Sequence, residues 1–105
     1  MKMVTAIFRP ERLISVRDGL EAIGFRSMTI SEVRGRGSQE GVSQEYRGQQ
    51  VVVDYLPRVK LELVVDEGPI DGVIEVIRRE AATGTTGDGR IFVVPIEESL
   101  NISAS

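Results

Sequence analysis

Twice along this chain a run of alternating apolar residues gives way to a stripe at helical spacing and then to a second run. That repeated β-α-β order, interrupted by a long polar stretch, limits the folds open to it. Lys2 to Phe8 sets Val4, Ala6 and Phe8 on one face and Met3, Thr5 and Ile7 on the other, which predicts a strand partly covered on both faces. Pro10 suits the first turn of a helix. Leu13, Val16, Leu20 and Ile23 then recur at helical spacing until Gly24 ends the pattern. Gly19 inside that helix costs about 1 kcal/mol relative to Ala, a cost consistent with close packing. Phe25 to Val33 alternates again as a second strand.

The pattern breaks from Arg34 to Gln50, where Gly35, Gly37, Gly41 and Gly48 are spaced among Ser, Gln and Glu. Val42 and Tyr46 are its only sizeable apolar or aromatic residues, too few to bury much surface. Loops of this length are usually functional or disordered, and a mobile linker remains an open reading. Val51 to Val53 resumes the β pattern, Leu56-Pro57 marks an edge, bend or bulge, and Val59 to Val65 is a strand. Pro69 opens a second helix, with Asp66 and Glu67 near its positive end and a stripe of Ile70, Val73, Ile74, Ile77 and Ala81. Ile91 to Ile96 is the last strand, and the polar tail from Glu97 to Ser105 reads as loose.

With 105 residues a single domain over 1–105 is expected. The order predicts an α+β fold of the split β-α-β kind, a four-stranded antiparallel sheet with two helices on one face and the long loop between strands 2 and 3. The other sheet face would then carry apolar residues without cover, which predicts an oligomer with sheets facing inward.

The chemistry is narrow. With no Cys and no His there is no thiolate nucleophile, disulfide or imidazole base, and the serines have nothing to activate them. No pair of carboxylates is singled out by its setting, so the chain is not expected to be an enzyme. A net charge of −3 argues against nucleic acid or a membrane surface as partner. No stretch is long enough for membrane insertion, the N-terminus is not a signal peptide, and a cytoplasmic protein is expected.

What remains is Thr83-Gly84-Thr85-Thr86-Gly87-Asp88-Gly89-Arg90. Its glycines permit positive φ and close approach, its amides can form an anion nest, and Arg90 adds a fork of donors suited to phosphate. On these residues alone it is also at home as a tight bend. Arg58 and Lys60 alternate with apolar positions and are equally readable as edge-strand charges.

The run from Thr83 to Val93 resembles the C-terminal signature of the nitrogen regulatory PII signal proteins. The likeness extends through Met28-Thr29-Ile30-Ser31-Glu32-Val33-Arg34-Gly35-Arg36-Gly37, Tyr46-Arg47-Gly48 and Val53 to Glu62, covering about residues 1 to 97. The resemblance implies a ferredoxin-like βαββαβ homotrimer with nucleotide sites in the clefts between subunits. ATP or ADP, and 2-oxoglutarate with Mg-ATP, would set the shape of a T-loop, here about 36–54, that docks on an ammonium transporter or a nitrogen-assimilation enzyme. It implies that Thr86, Gly87, Asp88, Gly89 and Arg90 line the phosphates, with Arg90 in place of the usual Lys. Thr29, Gly35, Arg36, Gly37, Ser38, Glu62 and Val64 would line the rest of the nucleotide. Gln39 would complete the Mg site to which 2-oxoglutarate binds, and Arg58 stands where a Lys usually meets that ligand's far carboxylate. Tyr46, Arg47 and Gly48 would form the partner-binding tip.

Departures from the pattern carry information. Val51 stands where a uridylylated Tyr is often found, so that modification is excluded there, and Gln49 replaces a phosphorylatable Ser. Asn101 and Ser103 replace two Arg that clamp the outer phosphates. Each charge-assisted contact contributes about 1.5–3 kcal/mol, so ADP or AMP should suffer less than ATP. The alternative reading is a divergent PII-like protein of carbon metabolism, responding to ADP or AMP and a small anion such as bicarbonate.

Overall fold

Alternation, not length, positions the first strand. In the computed structural model, which describes residues 1–36, 42–46, 49–53 and 55–103 (42–46 and 49–53 by backbone only), β1 (Lys2–Phe8) buries Val4, Ala6 and Phe8 and leaves the residues between them half-buried. A 3-10 turn at Pro10–Arg12 leads into α1 (Leu13–Ala22). Gly24, at φ +94°, ends that helix by donating its N–H to the Glu21 carbonyl at 3.0 Å. The remaining elements are β2 (Thr29–Gly35), β3 (Val42–Tyr46), β4 (Gln49–Val53), β5 (Leu56–Val65), α2 (Ile70–Ala81) and β6 (Gly89–Pro95).

Four strands form one antiparallel sheet in the order β2-β5-β1-β6, and β3 with β4 makes a separate antiparallel ribbon. Both helices cover the same sheet face. Val16 and Leu20 of α1 and Val73, Val76, Ile77 and Ala81 of α2 join Val4, Ala6, Phe8, Val59, Leu61, Leu63 and Val65 in one core. The α+β, ferredoxin-like βαββαβ fold expected from the sequence is the one observed.

Local differences have physical causes. Ile23, read into the α1 stripe, is 45% exposed because it caps the helix and the chain turns away there. Strand β2 starts at Thr29 and not at Phe25, whose amide still bonds the Leu20 carbonyl at 2.9 Å. In α2 Val76 joins Val73 and Ile77 among the buried residues, while Ile74 is half-buried. Gly19 is the reason: a Cβ there would lie 2.8 Å from Val76 Cγ1. The expected close packing is therefore real, and it draws the helix crossing toward Val76. The Arg12 Nε crosses the same junction and donates to the Glu80 carbonyl at 2.7 Å, meeting the negative end of α2.

Two boundaries bear on function. Strand β5 begins at Leu56, three residues before the apolar alternation, with Pro57 opposite Arg34 but beyond the end of β1. Its ring thus occupies a stretch where β5 has a neighbour on one side only. Strand β6 takes in Gly89 and Arg90, which pair with Phe8 and Ile7. The β3–β4 ribbon has no counterpart in the sequence reading of the 34–50 segment, because backbone pairing needs no apolar period.

Candidate functional site

Cross-strand register assembles the open face. Thr29 of β2 lies opposite Glu62 of β5, Glu62 opposite Thr5 of β1, and Thr5 opposite Phe92 of β6. One step along, Ser31, Lys60, Ile7 and Arg90 form the next row, so two cations from β5 and β6 flank one apolar residue. Val33 and Arg58 begin the row beyond. Val64, 46% exposed, sits beside Met3 toward the other end. The face is therefore polar around β2 and β5 and apolar around Val64, Phe92 and Val94.

Individual side chains are partly committed. Glu62 accepts a hydrogen bond from the Thr5 hydroxyl at 3.3 Å and lies 4.0 Å from the Lys60 ammonium. The Arg58 Nη1 donates to its neighbour's carbonyl at Pro57, 2.8 Å away. Arg90 is exposed and has no ion pair among the described residues. Lys60 is not an edge-strand charge, since it lies between Ser31 of β2 and Ile7 of β1, whereas Arg58, beyond the end of β1, has a strand neighbour on the β2 side only.

The turn from Thr83 to Gly89 abuts the Arg90 end of this face. Asp88 organises it. Its Oδ2 accepts the Thr83 N–H at 2.8 Å and the Gly84 N–H at 3.2 Å. Its Oδ1 accepts the Thr83 hydroxyl, the Thr85 hydroxyl at 3.5 Å and the Arg9 Nε at 3.2 Å. The Thr83 hydroxyl and amide, then Arg9 and the Gly84 amide, outweigh partial desolvation and hold the Asp88 carboxyl far below the usual carboxylate range. Gly84 and Gly87 take positive φ, +85° and +86°. Gly89 is constrained further, since a Cβ would fall 1.9 Å from the Ile7 carbonyl oxygen. A cleft of about 340 Å³ reaches this turn from the helix side, between Phe8, Ile77 and Ala81. Its lining also includes Ile7 and Arg90 of the open-face row.

These features fit a phosphate-bearing ligand. The amides of Thr85, Thr86 and Gly87 take no part in the turn's hydrogen bonds among the described residues. Arg90 and Lys60 supply positive charge on the adjoining row, where Lys60 lies 4.0 Å from Glu62, and the turn's own carboxylate, Asp88, is paired with Arg9. Asp88 thus shapes the turn with both oxygens, which the sequence did not reveal. Arg9, Thr83 and Thr85 were not legible either: Arg9 and Asp88 are 79 positions apart, and only the β1–β6 register brings them together.

Gly35 and Arg36 lie at the far end of β2, with Gly35 opposite Leu56. Thr86 presents its carbonyl to the Arg9 Nη2 at 3.1 Å. Gly37, Ser38, Gln39, Arg47 and Gly48, and the side chain of Tyr46, fall outside the described residues. No helix among the described residues is long and apolar enough to cross a membrane.

The family model described as nitrogen regulatory protein P-II matches residues 1–105. A nitrogen regulatory protein P-II 2 of Methanothermobacter thermautotrophicus is 46% identical over 97% of this chain and 89% of that protein. The nitrogen regulatory proteins P-II of Rhodospirillum rubrum and Pasteurella multocida are 44% and 45% identical, each over 97% of this chain and 91% of its relative. With the βαββαβ sheet and the turn in place, these matches settle the family: the chain belongs to the nitrogen regulatory protein P-II family.

Proposed function

We propose that this chain is a PII-type signal protein that binds an adenine nucleotide and regulates a nitrogen-metabolism target, and that it is not an enzyme. The observation that carries the reading is the union, at one end of the open face, of the turn's uncommitted amides with Arg90 and Lys60. Phosphates would meet the amides of Thr86 and Gly87, the backbone at Gly89 and the Arg90 guanidinium. Thr29, Glu62 and Val64 would line the base and ribose, with Gly35, Arg36, Gly37 and Ser38 at the base of the T-loop.

The exposed Val64, Phe92 and Val94 support self-association, and the proposed state is a homotrimer with sheets inward. The T-loop, about 36–54, would carry Tyr46, Arg47 and Gly48 to a target such as an ammonium transporter. Gln39, with Mg and ATP, and Arg58 would serve 2-oxoglutarate if that ligand binds. A cytoplasmic location accompanies the reading.

Residues 101–103 are exposed and carry no charge, so no tail cation is at hand there for outer phosphates. This favours ADP or AMP over ATP, which also keeps in play the second reading, a carbon-metabolism protein with a small anion such as bicarbonate as co-ligand. Calorimetry with ATP, ADP and AMP, each with and without 2-oxoglutarate or bicarbonate, tests all of these. Binding of ADP or AMP with micromolar affinity is expected. No heat with any of the three nucleotides would overturn the nucleotide reading, and a clear ATP preference would overturn the ranking.

A further inference from the structure

We propose that Arg9 is the positioning residue of the Thr83–Gly89 turn, holding it through Asp88 and the Thr86 carbonyl in the shape in which its free amides meet a phosphate. The inference rests on the phosphate reading above and adds to it a residue from outside the turn.

Arg9 is the first residue past β1. Continuing the register beyond Phe8 and Gly89 sets it against Asp88. Its Nε donates to Asp88 Oδ1 at 3.2 Å, while Nη2 donates to the Thr86 carbonyl at 3.1 Å and to the Thr85 hydroxyl at 3.4 Å. The Asp88 carboxylate in turn gathers the amides of Thr83 and Gly84. One guanidinium and one carboxylate therefore fix both limbs of the turn and tie them to the end of a core strand.

The arrangement solves a charge problem. A carboxylate beside a phosphate repels it and competes for the same N–H donors. Here both carboxylate oxygens face the Thr83–Gly84 limb, and Arg9 offsets the charge. The amides of Thr85, Thr86 and Gly87 stay out of that network. Turning the Thr86 carbonyl toward Arg9 also keeps that dipole from an incoming anion. A planar fork is needed, because Nε and Nη2 bond different partners at once. A lysine ammonium on its flexible stem does not reproduce that geometry. The side chains are only 23% and 25% exposed, so the pair is partly shielded from competing water.

The test uses the full chain with Arg9→Met, Arg9→Lys, Asp88→Asn and the Arg9→Met/Asp88→Asn double variant. ADP affinity is measured by calorimetry, and exchange of the Thr83 and Gly84 amides by NMR. Each single variant is expected to weaken ADP binding roughly tenfold, within the coupling range for one hydrogen-bond network. The double variant should be no worse than the weaker single, and Arg9→Lys should recover only part of the loss. Faster exchange at Thr83 and Gly84 in Arg9→Met is the accompanying signature. Additive losses in the double variant, or full recovery with Lys, would overturn the positioning role. If the native chain binds none of ATP, ADP and AMP, the nucleotide reading fails by itself, and amide exchange still decides this one: unchanged rates at Thr83 and Gly84 in Arg9→Met would refute it.

Discussion

Along β5, Val59, Leu61, Leu63 and Val65 face the helices and are 0–3% exposed, while Arg58, Lys60, Glu62 and Val64, one position out of step, face the open side. The same ten residues thus serve two environments. On the helix side the side chains are interchangeable in kind and fixed in volume. On the open side they differ in charge and polarity from row to row. A pleated strand makes this division without any extra chain, because successive side chains point to opposite faces. Stability is concentrated on one face and recognition on the other.

The sharpest way to break that comparison is to cut an equal row on each side. Leu61→Ala, at 0% exposure, should cost about 3 kcal/mol through lost transfer energy and a cavity. Ser31→Ala, in the open-face row of Lys60, should stay within about 0.5 kcal/mol. Urea unfolding of both variants measures the difference, and comparable losses would mean that the open face contributes as much to the fold as the core.

Gly89 lies where the two faces meet the turn. Gly89→Ala should cost about 3 kcal/mol, since it combines a φ of +137° with a Cβ 1.9 Å from the Ile7 carbonyl oxygen. Gly84→Ala has a φ of +85° with nothing within 4 Å, and should cost only about 1–2 kcal/mol. Thermal unfolding of the pair separates backbone strain from collision. Equal losses would show that the β1–β6 approach is looser than the register indicates.

The helix-covered face was the legible one. Val4, Ala6 and Phe8, or Leu61 and Leu63, announce their burial through alternation, and the βαββαβ order followed from that periodicity. Errors fell where burial depends on a neighbour. Val76 outranks Ile74 because Gly19 leaves room on the other helix, a fact about α1 and not about α2. Of the open face, alternation showed the uncovered apolar residues, but the ligand roles of its polar rows were legible only as a family pattern. Lys60 was equally readable as an edge charge, because a strand's place in the sheet depends on distant pairing. Arg9 had no local signal at all, since its partners lie beyond residue 82. Of the β3–β4 ribbon only Val51 to Val53 showed in the sequence, because the pairing itself needs no apolar period.

Arg90 sharpens the comparison from the functional side. Being exposed and without an ion pair among the described residues, its replacement in Arg90→Met should leave urea stability within about 0.5 kcal/mol. ADP affinity should fall about 10–100-fold, the worth of a charge-assisted contact to phosphate. Calorimetry beside the unfolding curve reads both. A variant that loses stability but keeps its affinity would place Arg90 with the core residues and not with the site.

The smallest effect expected is one of pH, and it distinguishes the turn from the core by sign. The Thr83 hydroxyl and amide, with Arg9 and the Gly84 amide, stabilise ionised Asp88, so its folded pKa lies below its unfolded one. A depressed carboxylate pKa adds stability that is fully present above the unfolded value, about 3.9, and is lost as pH falls from there toward the folded value. Asp88→Asn removes this term at every pH. The melting-temperature gap between the native chain and Asp88→Asn should therefore be constant from about pH 7 to pH 5 and narrow steadily below about pH 4. The gap for Leu61→Ala, which involves no proton, should not narrow with it. Parallel behaviour of the two gaps would show that the Asp88 hydrogen bonds do not depend on its charge, and would remove the electrostatic part of the contrast between the turn and the core.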